Sequence, residues 1–376
     1  MIYESKEVEF DMSYSGRKAT KYNILSYMLN HGDTSKVELA KQLNLSMPTV
    51  LSNVNELMES GLVTEKGELE STGGRKAALI GLQSDYRYAL GVDITANHLG
   101  IVLLNLCGEI LGQERIRMKF HTDLSYYARM AEELRRIYAP QIDSGKLLGV
   151  GISLPGIINQ KEKILVKSHA LNLENYSLKM IEQILALPVY YENDANAAML
   201  AENPQRLKNS VYLSLNSTLG GAVCMDGTLF TGQNRRAGEF GHMILVPGGR
   251  KCYCGKCGCA DAYCAASVLT QGGKEKLDEF MESIQTDAKA MKEWEEYLEN
   301  LAILISNLRM SYDTDIILGG EVGGYLQDHM VELGRKIFQY NLFDDDLSYL
   351  KNCSYRREAS AVGVAKQFFW KVMETI

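Results

Sequence analysis

The sequence predicts an α/β protein in two parts: a small N-terminal unit of three helices with a two-stranded wing, then a duplicated α/β fold. Three observations predict it. Helical spacing runs from Lys18 to Leu57 and gives way to a glycine-rich, basic tip between short β-rich stretches. From Tyr88 onward, strand-like and helical segments pass twice through a similar cycle. A chain of 376 residues has room for separate cores in each part.

Ile24, Leu25, Met28 and Leu29 mark the buried side of the first helix, which stops at Gly32. Ser35 and Glu38 form an S-x-x-E capping box for the second, with Val37, Leu39, Ala40 and Leu43 on its inner face. Ser46 caps the third, and Pro48 is tolerated in its first turn. Val50, Val54 and Leu57 point inward, which leaves Met47, Thr49, Ser52 and Asn53 outward, where a recognition helix meets base edges. Strands on either side of Gly73-Gly74-Arg75-Lys76 describe a wing whose Arg75 and Lys76 reach phosphates or a minor groove. The alternative is a small helical unit that only packs on the body or binds a protein. The recognition helix lacks Arg and Lys, so base readout rests on hydroxyl, amide and apolar contacts.

In the longer part, ALGVDI, LGIVLLNL and EILGQERIRM predict three consecutive strands, followed by a helix over Leu124 to Tyr138, the strand LLGVGISL and the turn Pro155-Gly156. A second cycle begins at VYLSLN and GGAVCM, continues through a long helical region from Ser267 to Met310 and reaches DIILGG. Two such rounds imply a cleft between two halves.

Composition narrows the setting. Apolar content of 46% and charge of 23% are those of a soluble globular chain, and no apolar run approaches the roughly 20 residues that span a bilayer. MIYESKEVEF has no signal-peptide core, and five of eight cysteines crowd between Cys252 and Cys264, so a metal site in the reducing cytoplasm is expected, with no membrane partner. The net charge of −7 means that any nucleic-acid contact comes from a local patch.

Two motifs carry chemistry. His242, ten residues before Cys252-Tyr-Cys254-Gly-Lys-Cys257-Gly-Cys259, completes a tetrahedral zinc set with Cys252, Cys254 and Cys259. Cys252, Cys254, Cys257 and Cys259 compete as an alternative, though a tight wrap for one ion; free thiols are the remaining reading. Glu192-Asn193-Asp194-Ala195-Asn196 follows the apolar run Leu187 to Tyr191, where an α/β cleft opens; an N-cap for the next helix explains it equally well.

GISLPGII, ENDANAA, AGEFGH, CYCGKCGC, IILGG and Ala361-Val362-Gly363-Val364-Ala365 together resemble the ROK family of repressors, open reading frames and kinases, over nearly the whole chain. The GGRK-bearing N-terminal segment is similar to the winged unit of that family's repressors. The resemblance implies a duplicated actin-like, ribonuclease-H-like fold of sugar-kinase type, in homodimers or homotetramers. The units then fall at 1–84, at 85–196 joined by the C-terminal helix 357–376, and at 197–356. It also implies one structural zinc on His242, Cys252, Cys254 and Cys259, and sugar contacts from Asn193, Asp194, Glu239 and His242. The resemblance places the next sugar contact at Asp261, where the family has a glutamate, one methylene longer, so the pocket's reach and preferred sugar are expected to differ. Asp194 matches the catalytic base of the kinases.

Phosphoryl transfer needs backbone amides close around phosphates, which glycine permits. The kinases' D-x-G-G-T segment reads Asp93-Ile94-Thr95-Ala96-Asn97 here, and the G-T-G loop reads Asn216-Ser217-Thr218. The expectation is a sugar-responsive regulator that binds operator DNA and takes a monosaccharide or short oligosaccharide as effector, with Asp194 a vestigial base. An ATP-dependent sugar kinase, a bifunctional protein and a purely protein-binding regulator are the alternatives.

Overall fold

A computed structural model describes residues 17–68, 78–202, 207–272 and 276–374. Its N-terminal unit holds helices α1 (Arg17–His31), α2 (Lys36–Gln42) and α3 (Met47–Glu59). Both expected caps form. The Glu38 backbone N–H donates to Ser35 Oγ at 3.1 Å, and that of Thr49 donates to Ser46 Oγ at 3.3 Å. Each satisfies an amide that the first helical turn leaves without an intrahelical partner. Ile24, Leu25, Met28, Leu39, Val50, Val54 and Leu57 are buried. Val37 is instead 60% exposed, because a seven-residue helix offers few inward positions and Leu39 takes the central one.

Thr34–Ser35 forms a short strand, β1, that pairs with β3 (Ala78–Leu82), which in turn pairs antiparallel with β2 (Val63–Glu68). These are the two sides of the wing. The expected phosphate contacts Arg75 and Lys76 lie outside the described residues.

The first half begins with the three expected strands, β4 (Tyr88–Ile94), β5 (His98–Asn105) and β6 (Ile110–Arg117), then α4 (Leu124–Asp143) and β7 (Leu147–Leu154). Strands β8 (Ile157–Asn159), β9 (Ile164–Ser168) and β10 (Leu173–Ser177) make a separate antiparallel sheet that the sequence pattern does not reveal. Helix α5 (Lys179–Leu185), strand β11 (Val189–Asn193) and helix α6 (Asp194–Ala201) complete the half, with main-sheet order β11-β7-β4-β5-β6.

The second half repeats the plan with β12 (Ser210–Leu215), β13 (Leu219–Met225), β14 (Thr228–Leu229), β15 (Asp315–Gly319) and β16 (Leu350–Asn352), in the order β14-β13-β12-β15-β16. The single long helical region expected over Ser267–Met310 is three helices, Ala266–Leu269, Leu277–Ser283 and Ala288–Tyr312. Asp287 restarts the helix by accepting the Lys289 N–H at 2.9 Å. No helix among the described residues is long and apolar enough to cross a membrane.

The helix Ala359–Glu374 returns to the first half and packs on β4, β7 and α6. Its approach is close: a Cβ on Gly91 would stand 1.9 Å from the Ala361 oxygen, and one on Gly151 2.4 Å from the Val364 carbonyl carbon. The same helix packs against α1. Phe368, Phe369 and Met373 thereby join Ile24, Leu25 and Met28 in one buried apolar cluster that also includes Ala89 and Leu104 of the sheet. The winged unit and the body share a core.

Candidate functional site

Strand β11 hands over to α6 at Asn193. Its Oδ1 accepts the N–H groups of Ala195 and Asn196, each at 3.0 Å, while its Nδ2 donates to the Gly156 carbonyl at 3.1 Å. Both sequence readings of this segment hold: Asn193 is the helix cap, and the neighbouring carboxylate stands at a cleft. Buried Glu192 fixes the pair from behind, its Oε1 accepting the Asn193 N–H at 2.9 Å and the Asn196 side chain at 3.2 Å.

A cavity of about 310 Å³ opens here between the halves. Asn193, Asp194, Glu239 and His242, all singled out from the sequence, line it together. That volume is at the lower end of small-molecule sites. Burial raises the Asp194 carboxyl, and burial with the Asp194 charge raises that of Glu239. Carboxylates in this condition favour hydrogen-bond donors, such as hydroxyls, over water-free isolation. Nearby, burial holds Asp93 at about 6, although the Ser153 hydroxyl bonded to it acts in the opposite direction.

Asp261 departs from expectation. It is 6% exposed, is absent from the cavity wall, and its Oδ1 accepts the Leu219 backbone N–H at 2.7 Å. The short side chain is held by that amide, and burial lifts its carboxyl to about 6. His169, Tyr253, Arg235 and Arg236 line the cavity and were not anticipated. His169 follows the unforeseen strand β9, and Tyr253 stands between two cysteines, where the cysteines draw attention first.

His242, Cys252, Cys254 and Cys259 bring their ligand atoms within 4.8 Å of one another, a group able to hold a metal ion. Cys257 is exposed and outside the group, which decides against the alternative set of four thiols. Cys254 Sγ and Cys259 Sγ are 3.7 Å apart. A tetrahedral ion with metal–sulfur bonds of about 2.3 Å requires sulfurs roughly 3.8 Å apart, so this pair fits. His242 Nδ1 lies 3.9 Å from Cys252 Sγ, whereas Nε2 faces Tyr253 Oη at 3.5 Å and Glu239 Oε2 at 4.0 Å. One ring nitrogen serves the cysteine cluster and the other the cavity.

At the other end of the cleft, Thr95 Oγ1 accepts the His98 N–H at 3.0 Å and closes its own turn. Asn216 Oδ1 accepts the Glu321 N–H at 2.9 Å, and its Nδ2 donates to Ser214 Oγ at 3.0 Å. The Asn216 side chain thus occupies the start of the helix that follows β15.

On α3, Met47 is 38% exposed, with Thr49 and Ser52 half-buried. Asn53, expected to face outward, is 2% exposed and donates to the Thr49 carbonyl at 2.8 Å. The reason is positional: Val50, Asn53, Val54 and Leu57 make one i, i+3, i+4, i+7 face. Exposed Leu51 and Asn55, which were overlooked, continue the outward stripe from Met47.

Fold and site define a winged helix-turn-helix protein built on an actin-like body of sugar-kinase type. The chain belongs to the ROK family, which it matches over residues 89–368, and residues 17–64 match a winged helix-turn-helix DNA-binding unit. The xylose repressor of Caldicellulosiruptor bescii is 27% identical over 355 residues, covering 87% of this chain and 89% of that protein. NagC of Escherichia coli, a DNA-binding transcriptional dual regulator, is 27% identical over 252 residues, 64% of this chain and 61% of NagC. Among solved structures, a ROK family transcriptional regulator homologous to the E. coli MLC protein has a TM-score of 0.73 at 21% identity, over 96% of this chain and 98% of the other. A ROK glucokinase from Streptomyces griseus in complex with glucose and AMPPNP has a TM-score of 0.63 at 23% identity, over 74% and 98%. Both share the fold.

Proposed function

We propose that this chain is a cytoplasmic, sugar-responsive repressor of carbohydrate-utilisation genes. It binds operator DNA through the winged unit, as a homodimer or homotetramer, and takes a monosaccharide or short oligosaccharide in the cleft. Asn193, Asp194, Glu239 and His242 hold the sugar hydroxyls; Met47, Thr49 and Ser52, with Arg75 and Lys76 at the wing, face DNA. D-xylose is the first sugar to try, because the relatives that match over 87% of this chain include the xylose repressor of Caldicellulosiruptor bescii. Zinc is the metal assigned to His242, Cys252, Cys254 and Cys259, where it supplies a structural tie and fixes His242 Nε2 as the proton-bearing nitrogen toward the cavity.

A continuous line of contacts from the cleft to the winged unit supports this reading. Asp194 begins α6, and its carbonyl accepts the Ser360 hydroxyl at 2.9 Å. At the far end of α6 the Ala201 carbonyl accepts Lys366 Nζ at 2.7 Å. Ser360 and Lys366 both lie on the helix that also packs against α1. Closure of the halves around a sugar therefore moves the element on which the DNA-binding helices sit. In a dimer this changes the spacing of two recognition helices that must meet half-sites in register.

A ligand acts on DNA affinity only through its different affinities for two states, and coupling of about 1–3 kcal/mol changes binding roughly 5- to 150-fold. Operator binding measured by fluorescence anisotropy, with and without a sugar found by thermal-shift screening, tests the reading. Asp194→Ala should remove the shift. A sugar that binds tightly and leaves operator affinity unchanged overturns it. Kinase activity is the second reading, motivated by the retained Asp194. Sugar-dependent ADP release with ATP and magnesium, lost in Asp194→Asn, would establish that activity; the Asn216 and Thr95 contacts favour negligible turnover.

A further inference from the structure

Tyr253 and His169 come from opposite sides of the cleft. Tyr253 projects from the cysteine loop of the second half, between Cys252 and Cys254, and His169 from the loop after β9 in the first half. Both line the cavity. Their ring centroids are 6.1 Å apart with planes at 65°, and each ring also meets His242 edge-to-face, at 5.9 Å for His169 and 5.4 Å for Tyr253. These separations lie within the range at which aromatic edges and faces attract. Tyr253 remains 50% exposed, so one side of the phenol ring is available to a ligand.

Two kinds of group line the cavity: the carboxylates of Asp194 and Glu239 with the capping amide of Asn193, and the rings of His169, Tyr253 and His242. A pyranose offers partners to both, with hydroxyls around its rim and C–H groups on its faces. With Asp261 withdrawn to the Leu219 amide, no acidic group from the cysteine loop reaches the cavity, and Tyr253 is what that loop presents.

We propose that Tyr253 and His169 are specificity-determining residues that clamp the C–H face of a pyranose across the mouth of the cleft and hold the two halves closed on it. This rests on the sugar-site reading above. The clamp discriminates sugars by the face they present, and the hydroxyl contacts then fix orientation. It also gives the cysteine loop a direct part in ligand choice, since the ring is carried between two of its cysteines.

The test uses the full zinc-loaded chain and isothermal titration with D-xylose, D-glucose and N-acetyl-D-glucosamine. Tyr253→Ala and His169→Ala should each weaken the best of these sugars about three- to tenfold, the size expected for one ring contact, and change the ranking among the three. Tyr253→Phe, which keeps the ring, should retain both affinity and ranking. The double substitution should weaken binding by less than the product of the two single effects, as expected for residues that act as one clamp. His169 lies outside the cysteine loop, so its variant decides the matter if Tyr253→Ala loses metal. If a sugar binds and Asp194→Ala abolishes binding, yet His169→Ala leaves affinity and ranking within twofold, the clamp is wrong and the sugar site stands. If none of the three sugars binds wild type and Asp194→Ala changes nothing, the clamp falls together with the sugar site.

Discussion

Gly363 lies directly against the carbonyl oxygen of Ala197: a Cβ at this position would stand 1.6 Å from it. The helix Ala359–Glu374 and α6 touch backbone to backbone there. A methyl group forces them apart or shifts one along the other, and such overpacking typically costs about 1–3 kcal/mol. Gly363→Ala is therefore expected to lower the melting temperature by several degrees. It should also reduce the effect of sugar on operator affinity more than it reduces sugar binding, because the contact line from cleft to winged unit crosses this point. Equal losses in both quantities would argue against that route.

Metal content is the next prediction. Purified protein should hold about one zinc per chain, and Cys254→Ser should lose it together with the sugar response. Elemental analysis of protein purified without chelator gives the answer, and a chain found free of zinc would contradict the assignment.

On the third helix, the buried and outward positions should separate by phenotype. Asn53→Asp places a carboxylate where the nearest polar neighbour is the Thr49 carbonyl, an acceptor, and should destabilise the fold by about 2–4 kcal/mol. Thr49→Val and Leu51→Ala should leave the melting temperature nearly unchanged and alter which operator sequence is preferred. Replacing both Arg75 and Lys76 by alanine should instead weaken binding to all sequences and flatten its salt dependence.

Asp93 gives a pH signature. Its carboxyl is raised to about 6 in the fold by burial, against an ordinary value of 3.8. A raised acid contributes stability that is fully present below about 3.8 and is lost as pH rises through about 6. Asp93→Asn imitates the protonated form at every pH. It should be more stable than wild type at pH 7.5, by on the order of 3 kcal/mol at most, and so melt higher, and the difference should vanish toward pH 4. Parallel melting curves across that range would refute the assignment.

Much of this was readable from residue order where the signal is local. Ser35 and Ser46 announce helix starts because a cap acts within three residues. His242, Cys252, Cys254 and Cys259 are legible because the ligands fall within one short loop. Asn53 misled because a polar side chain reads as outward, although its spacing from Val50 and Leu57 placed it on the inner stripe. Asp261 could not be read at all, since the amide that holds it belongs to Leu219, 42 residues away. His169 was hidden for a similar reason: β8 to β10 are three to five residues each, too short for alternation to declare them.

The core shared by α1 and the helix Ala359–Glu374 has a consequence for synthesis. Ile24, Leu25 and Met28 leave the ribosome early, but Phe368, Phe369 and Met373 arrive only after nearly the whole body has been made. Until then the DNA-reading unit carries an uncovered apolar flank, open to chaperones and proteases. A transcript cut short, or a ribosome that stalls, yields a head without its seat. Such a fragment is expected to be degraded, because Ile24, Leu25 and Met28 lack the cover that Phe368, Phe369 and Met373 give them.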